Sequence, residues 1–98
     1  AAEVFATPMM IGLMEAASMN AVKKYIPEGF STVGTSVNIK HISATAVGKK
    51  VWAEAELIEI DGKRLVFKVD AYDDDKKIGE GTHERFIIDE EKFMCKLK

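Results

Sequence analysis

Two hydrophobic periods divide the chain, one helical and one alternating. From Met9 to Met19 the residues are apolar nearly all round a helical wheel (Met9, Met10, Ile11, Leu13, Met14, Ala16, Ala17, Met19). Thr7 is a good N-cap, and Pro8 at the first helical position gives up only an N–H that would go unpaired. The spacing predicts a helix from Thr7-Pro8 to just before Pro27, with Gly29 beyond it and Lys23 and Lys24 suiting the dipole of the last turn. A helix apolar on every side is expected to be wrapped by the rest of the protein. One long central helix is the prediction.

Beyond residue 30 the period drops to two. Thr32 to Ala44 reads as a strand, followed by two long strands, Lys50 to Ile60 and Lys63 to Asp73, joined by Asp61-Gly62. Asp-Gly between alternating runs is a strong two-residue hairpin signal. Leu65, Phe67, Val69 and Ala71 share one face of the second of these strands. The polar Asp74-Asp75-Lys76 turn leads to a last strand, Lys77 to Ile88, and the charged C-terminus predicts a final helical turn. Glu3-Val4-Phe5 could add one more short strand. The expected class is α+β: a central helix wrapped by a curved antiparallel sheet of at least four strands, all in one domain covering residues 1–98.

Composition narrows the function classes. The chain has 98 residues, 14 basic and 16 acidic, for a net charge of −2. The charges are mixed along the chain, without the basic stripe that nucleic-acid binding requires. No stretch is apolar for long enough to span a membrane, since Val4 to Met14 is too short and carries Pro8 and Gly12. The single cysteine, Cys95, cannot form an internal bridge and points to a reducing compartment, so the expected location is cytoplasmic. Two histidines without ligands at metal spacing argue for no metal site. A domain of this size has little room for a large cleft of its own, which favours a homodimer that shares one.

Four features stand out against this background. Glu15 is the only charge between Glu3 and Lys23, midway along a helix expected to be buried. Burying a carboxylate is costly unless it is paired or hydrogen-bonded, which makes such a group a functional candidate. The plainer alternatives are a packing gap that opens to water or a structural ion pair. His41 falls on the Val37-Ile39-His41 face of its strand, which should lie under the helix, so it is expected in the same helix–sheet space as Glu15. Thr7, if not merely a cap, would join the free N–H groups of the helix start in an anion-friendly corner. Eight residues separate Thr7 from Glu15, about 12 Å of helix, so the two can serve one site only if it is elongated or formed by two subunits. The last strand places Gly79, Gly81, His83 and Arg85 on one face. Paired strand glycines imply close approach by a ligand, a helix or a second backbone.

These residues resemble a known family. One long helix against an antiparallel sheet looks like the hotdog fold. Val4-Phe5-Ala6-Thr7-Pro8, Met14-Glu15-Ala16-Ala17, Thr32-Val33-Gly34-Thr35, Val37 through His41, and Gly79-Glu80-Gly81-Thr82-His83-Glu84-Arg85 are similar to the fluoroacetyl-CoA thioesterase-like branch, over about Val4 to Phe93. By that resemblance Thr7, Glu15 and His41 are the catalytic trio. Gly34 lines the acyl group and Arg85 is a supporting arginine. Beside them Thr35, Gly81 and His83 are further candidate substrate-binding positions, His83 with Arg85 either to hold a phosphate or to orient site residues. The resemblance implies hydrolysis of an acyl-CoA thioester to acid and CoA at a dimer interface. The protein would be a homodimer or dimer of dimers, and would need no cofactor because CoA is part of the substrate. Glu15 would activate water or attack the carbonyl, His41 would help the thiolate leave, and Thr7 with nearby N–H groups would steady the oxyanion. Lys40, Lys49 and Lys50 are candidates for the CoA phosphates. The same fold hosts acyl-CoA hydratases and dehydratases, and a non-catalytic acyl-CoA-binding or dimerisation module is a third reading. The family usually carries a further strand before the helix, which this sequence does not show.

Overall fold

The computed structural model describes residues 4–97. The chain runs α1 (Thr7–Val22), a 3-10 turn (Lys23–Tyr25), β1 (Phe30–His41), β2 (Val51–Asp61), β3 (Arg64–Asp73), β4 (Lys77–Asp89) and α2 (Glu90–Leu97). The four strands form one antiparallel sheet in the order β1-β4-β3-β2. β1 and β2 are therefore its edges.

The core lies between α1 and the inner face of the sheet. Met10, Met14, Ser18 and Val22, spaced four apart, are the helix residues that reach it. Ser18 is tolerated there because its hydroxyl donates to the Met14 carbonyl at 2.9 Å. On the sheet side Leu65, Phe67, Val69 and Ala71 are all buried, as their alternation predicts, and Ile78 joins them.

A helix wrapped on every side is not confirmed. The sheet covers α1 on one side only, and Met9 is 64% and Met19 48% exposed. A single four-stranded sheet has one face to give, so an apolar surface all round the helix exceeds what this chain can cover. Val37 and Ile42 of the β1 side are also exposed, which makes the outer flank of α1 and the β1 edge an apolar region.

Strand boundaries moved by at most three residues, and the Asp73 end of β3 and the Lys77 start of β4 stand as expected. Asp61 pairs with Arg64, so the hairpin turn is Gly62-Lys63 and not Asp61-Gly62. Gly62 has φ 61°, a conformation open to glycine at little cost. The charged C-terminus forms two helical turns in α2, begun by Asp89, whose carboxylate accepts from the Lys92 N–H at 3.1 Å. Val4 makes a single bridge to Ala46, and the Phe5 N–H donates to the Thr45 carbonyl at 2.8 Å. No strand forms at Val4-Phe5, and Glu3 lies outside the described residues.

The paired glycines of β4 have structural partners. A Cβ on Gly79 would sit 2.4 Å from the Met10 sulfur, and one on Gly81 2.1 Å from the Asn38 carbonyl oxygen. Gly79 admits the helix and Gly81 admits the backbone of β1, two of the three close approaches that the pattern predicts.

Candidate active site

Three cavities follow the flank of α1 that faces β1. One of about 430 Å³ is lined by Val4 to Thr7 and His41 to Ala44. A second, of about 240 Å³, is lined by Ile11, Glu15, Gly34, Thr35, Ser36, Val37 and His83. The third, about 280 Å³, lies at the C-terminal end of α1 between Met19, Lys23, Ile26, Phe30 and Thr32.

Thr7 and His41 meet in the first cavity. The N-cap of α1 is Ala6, without a side-chain cap, so Thr7 is the first helical residue and Pro8 the second. The capping role expected of Thr7 does not exist, and its hydroxyl is free to bond His41 Nδ1 at 2.8 Å. Helix entry also fixes the backbone donors. Met9 and Met10 N–H both go to the Ala6 carbonyl, and Pro8 has no N–H. That leaves the Ala6 and Thr7 N–H groups as the donors without a partner among the described residues. His41, the last residue of β1, faces the same way as its partner Gly79. Its Nε2 is buried and has no partner among the described residues.

Glu15 belongs to the second cavity. It lies one residue round from the buried Met14, which turns it from the sheet centre toward the β1 edge. Its side chain is 42% exposed, so the expected burial is not found and the opening to water is. Oε2 stands 3.8 Å from Arg85 Nη1. Arg85 is itself buried, donating from Nε to Thr32 Oγ1 and from Nη2 to the Thr32 carbonyl, each at 2.8 Å. Burial pushes its guanidinium below the ordinary arginine value, and Glu15 opposes that shift.

A bulge in β1 between Gly34 and Ser36 shapes the floor beneath Glu15. It puts Gly34 opposite Arg85 and Val37 opposite His83. A Cβ on Gly34 would lie 3.1 Å from His83 Cε1, 3.3 Å from Arg85 Nη1 and 3.3 Å from Glu15 Oε2. Glycine is what lets these three side chains converge.

The structure sorts the expected residues. Glu15, Gly34, His83 and Arg85 come together, and Thr7 pairs with His41. The two groups stay apart, since His41 reaches the start of α1 and Glu15 lies two turns on, against Gly34. His41 therefore faces the helix as expected but does not share the space around Glu15. Thr35 turns its hydroxyl to the opposite face of the sheet, donating to Glu84 Oε2 at 2.6 Å. Gly81 is held in the β1–β4 pairing, away from Glu15. Lys40 lies with Asn38, Glu80 and Thr82 on the far face, because alternation turns it away from His41, and Lys49 is tied to Asp75. Thr32 and the Ser36 carbonyl, partners of Arg85 and His83, were not expected. Their trace in the sequence is Thr32-Val33-Gly34-Thr35, whose glycine marks the bulge. Among the described residues no group of three potential ligands could hold a metal ion.

A helix laid along a four-stranded antiparallel sheet, with a carboxylate on the helix and a hydroxyl–imidazole pair at its start, is the arrangement that the hotdog resemblance implies. The family model of fluoroacetyl-CoA-specific thioesterases matches residues 1–91. A fluoroacetyl-CoA thioesterase from Streptantibioticus cattleyicolor is 44% identical over 96 residues, covering 98% of this chain and 69% of the relative. A crystal structure of a variant of the fluoroacetyl-CoA-specific thioesterase FlK, in complex with fluoroacetate and CoA, superposes with TM-score 0.94 at 44% identity, over 99% of this chain and 76% of that one. A Thermus thermophilus member of the thioesterase superfamily gives TM-score 0.94 at 26% identity, over 99% of this chain and 72% of that one.

The chain belongs to the fluoroacetyl-CoA-specific thioesterase family. Of the three readings the sequence left open, thioester hydrolysis is the one its relatives support.

Proposed function

We propose that this protein hydrolyses an acyl-CoA thioester at a site made by two copies of the chain, with Thr7 and His41 from one and Glu15 from the other. One observation carries this reading. The hydroxyl–imidazole pair and the carboxylate lie on the same flank of α1, about 12 Å apart along one helix, and that flank is apolar and exposed. A two-fold axis beside that flank would cover the exposed Met19 and Val37 and bring each Glu15 toward the partner's helix start.

The residues then divide the reaction. Glu15 takes a proton from water, whose oxygen adds to the thioester carbonyl carbon while the C=O electron pair moves onto oxygen. The Thr7 N–H donates to that oxyanion. As the oxyanion collapses, the C–S bond breaks and its electron pair leaves on sulfur. His41, paired at Nδ1 with the Thr7 hydroxyl at the cavity wall, helps the thiolate leave. The proton on Glu15 passes to the thiolate or to solvent, which returns the carboxylate. CoA arrives as part of the substrate, so no cofactor enters. The lone thiol of Cys95 suits the reducing cytoplasm.

Free-thiol release from a panel of short, branched, aromatic and long acyl-CoAs tests the activity and reads the acyl preference. Subunit mixing tests the shared site. Glu15→Gln and His41→Ala are each expected to be inactive, and after exchange half of the sites in every heterodimer regain all three groups. An equal mixture should then recover about a quarter of the wild-type activity. No recovery after verified exchange would show that each chain uses its own trio.

A further inference from the structure

His83 is buried, and both of its ring nitrogens are already engaged. Nδ1 is 2.8 Å from the Ser36 carbonyl, and Nε2 is 3.1 Å from Arg85 Nη1. A guanidinium only donates and a carbonyl only accepts, so the ring carries its proton on Nδ1 and its lone pair on Nε2. Neither ring nitrogen is left to bind substrate, which favours an orienting role over a substrate-binding one. The Phe67 ring, 6.4 Å away between centroids, closes the other side.

We propose that His83 is a positioning residue for Glu15, acting through Arg85 and through the β1 bulge. Its acceptor at Nε2, with the two Thr32 oxygens, fixes the guanidinium in one orientation and leaves Nη1 facing Glu15. Its donor at Nδ1 pins the Ser36 carbonyl, which holds the bulge and so sets Gly34 against the same carboxylate. One imidazole thus fixes both the cation beside Glu15 and the floor beneath it. Loss of either bond lets the carboxylate wander on the scale at which reaction geometry fails. The inference rests on the reading of Glu15 as the base.

Two variants and one spectrum test it. His83→Phe keeps a buried ring and removes both bonds, while His83→Gln keeps one donor and one acceptor. His83→Phe should lower kcat at least about tenfold with KM within about twofold, and His83→Gln should recover most of that loss. Thermal unfolding confirms that both variants are folded at the assay temperature. A His83→Phe enzyme with wild-type kcat overturns the proposal, as does a folded His83→Gln enzyme no faster than His83→Phe. The 15N spectrum of the wild-type imidazole needs no turnover. Protonation at Nδ1 with a bare Nε2 is the expected pattern, and the reverse tautomer overturns the proposal even if the phenylalanine variant does not fold. If the wild-type protein released no thiol, the functional reading would fail instead, and the spectrum would still report on the Arg85–His83 bond.

Discussion

Glu15→Gln separates catalysis from stability more cleanly than any other substitution in the site. It keeps the shape of the side chain and removes the charge that faces Arg85 Nη1 at 3.8 Å. Two unit charges at that distance attract by about 4 kcal/mol at an effective dielectric constant near 20. Little of this is realised, because the Glu15 side chain is 42% exposed and water screens it, so the net cost to folding should be about 1 kcal/mol or less. Arg85 keeps its two bonds to Thr32 and its bond to His83, so the variant leaves no orphaned guanidinium. A domain of this size should lose no more than about 4–8 °C of Tm for 1 kcal/mol. The rate should fall by about 10²-fold or more, since an amide cannot take a proton from water. Thiol release at saturating acyl-CoA measures the rate, and a thermal scan measures the fold. Retention of more than about a tenth of the wild-type rate would refute the role of Glu15 as the base. A Tm drop large enough to unfold the protein at the assay temperature would refute the claim that its charge is mainly functional.

Thr7→Ser should keep most of the activity and Thr7→Ala should lose it, because the hydroxyl holds His41 and caps nothing. Equal activities in the two variants would remove Thr7 from the site. Gly34→Ala should lower kcat about tenfold while costing folding no more than about 1.5 kcal/mol, since its neighbours need yield only a few tenths of an ångström. Gly81→Ala should cost about 3 kcal/mol or more in urea unfolding, because the atom its Cβ would meet is the Asn38 carbonyl, which cannot move without parting β1 from β4. The Asp73 carboxylate accepts from the Asp75 and Lys76 N–H groups, Lys76 Nζ and Thr45 Oγ1, and these bonds hold it far below the usual carboxylate range. A depressed folded value means that its contribution is complete above about pH 4 and is lost as pH falls through the folded value. Asp73→Asn should therefore be less stable at neutral pH and show a shallower further loss in acid, and parallel acid unfolding curves would contradict this.

The sequence by itself determined the elements, the inner face of β3 and the residue types of the site. Those follow from period and local chemistry: a helix with a single charge, alternation along β3, glycines at close approaches. It also carried the separation of Thr7 from Glu15, since helical rise is fixed. Whether α1 is wrapped was a tertiary question, because coverage depends on how much surface one four-stranded sheet has to offer. The cap was decided the same way, one residue earlier than Thr7, and that shift turned an expected structural hydroxyl toward His41. Pairing decided the rest. Arg85 reaches Glu15, and His83 reaches Ser36, only because a bulge between Gly34 and Ser36 resets the register of β1 against β4. A bulge is an agreement between two strands distant in sequence, and neither strand records it alone.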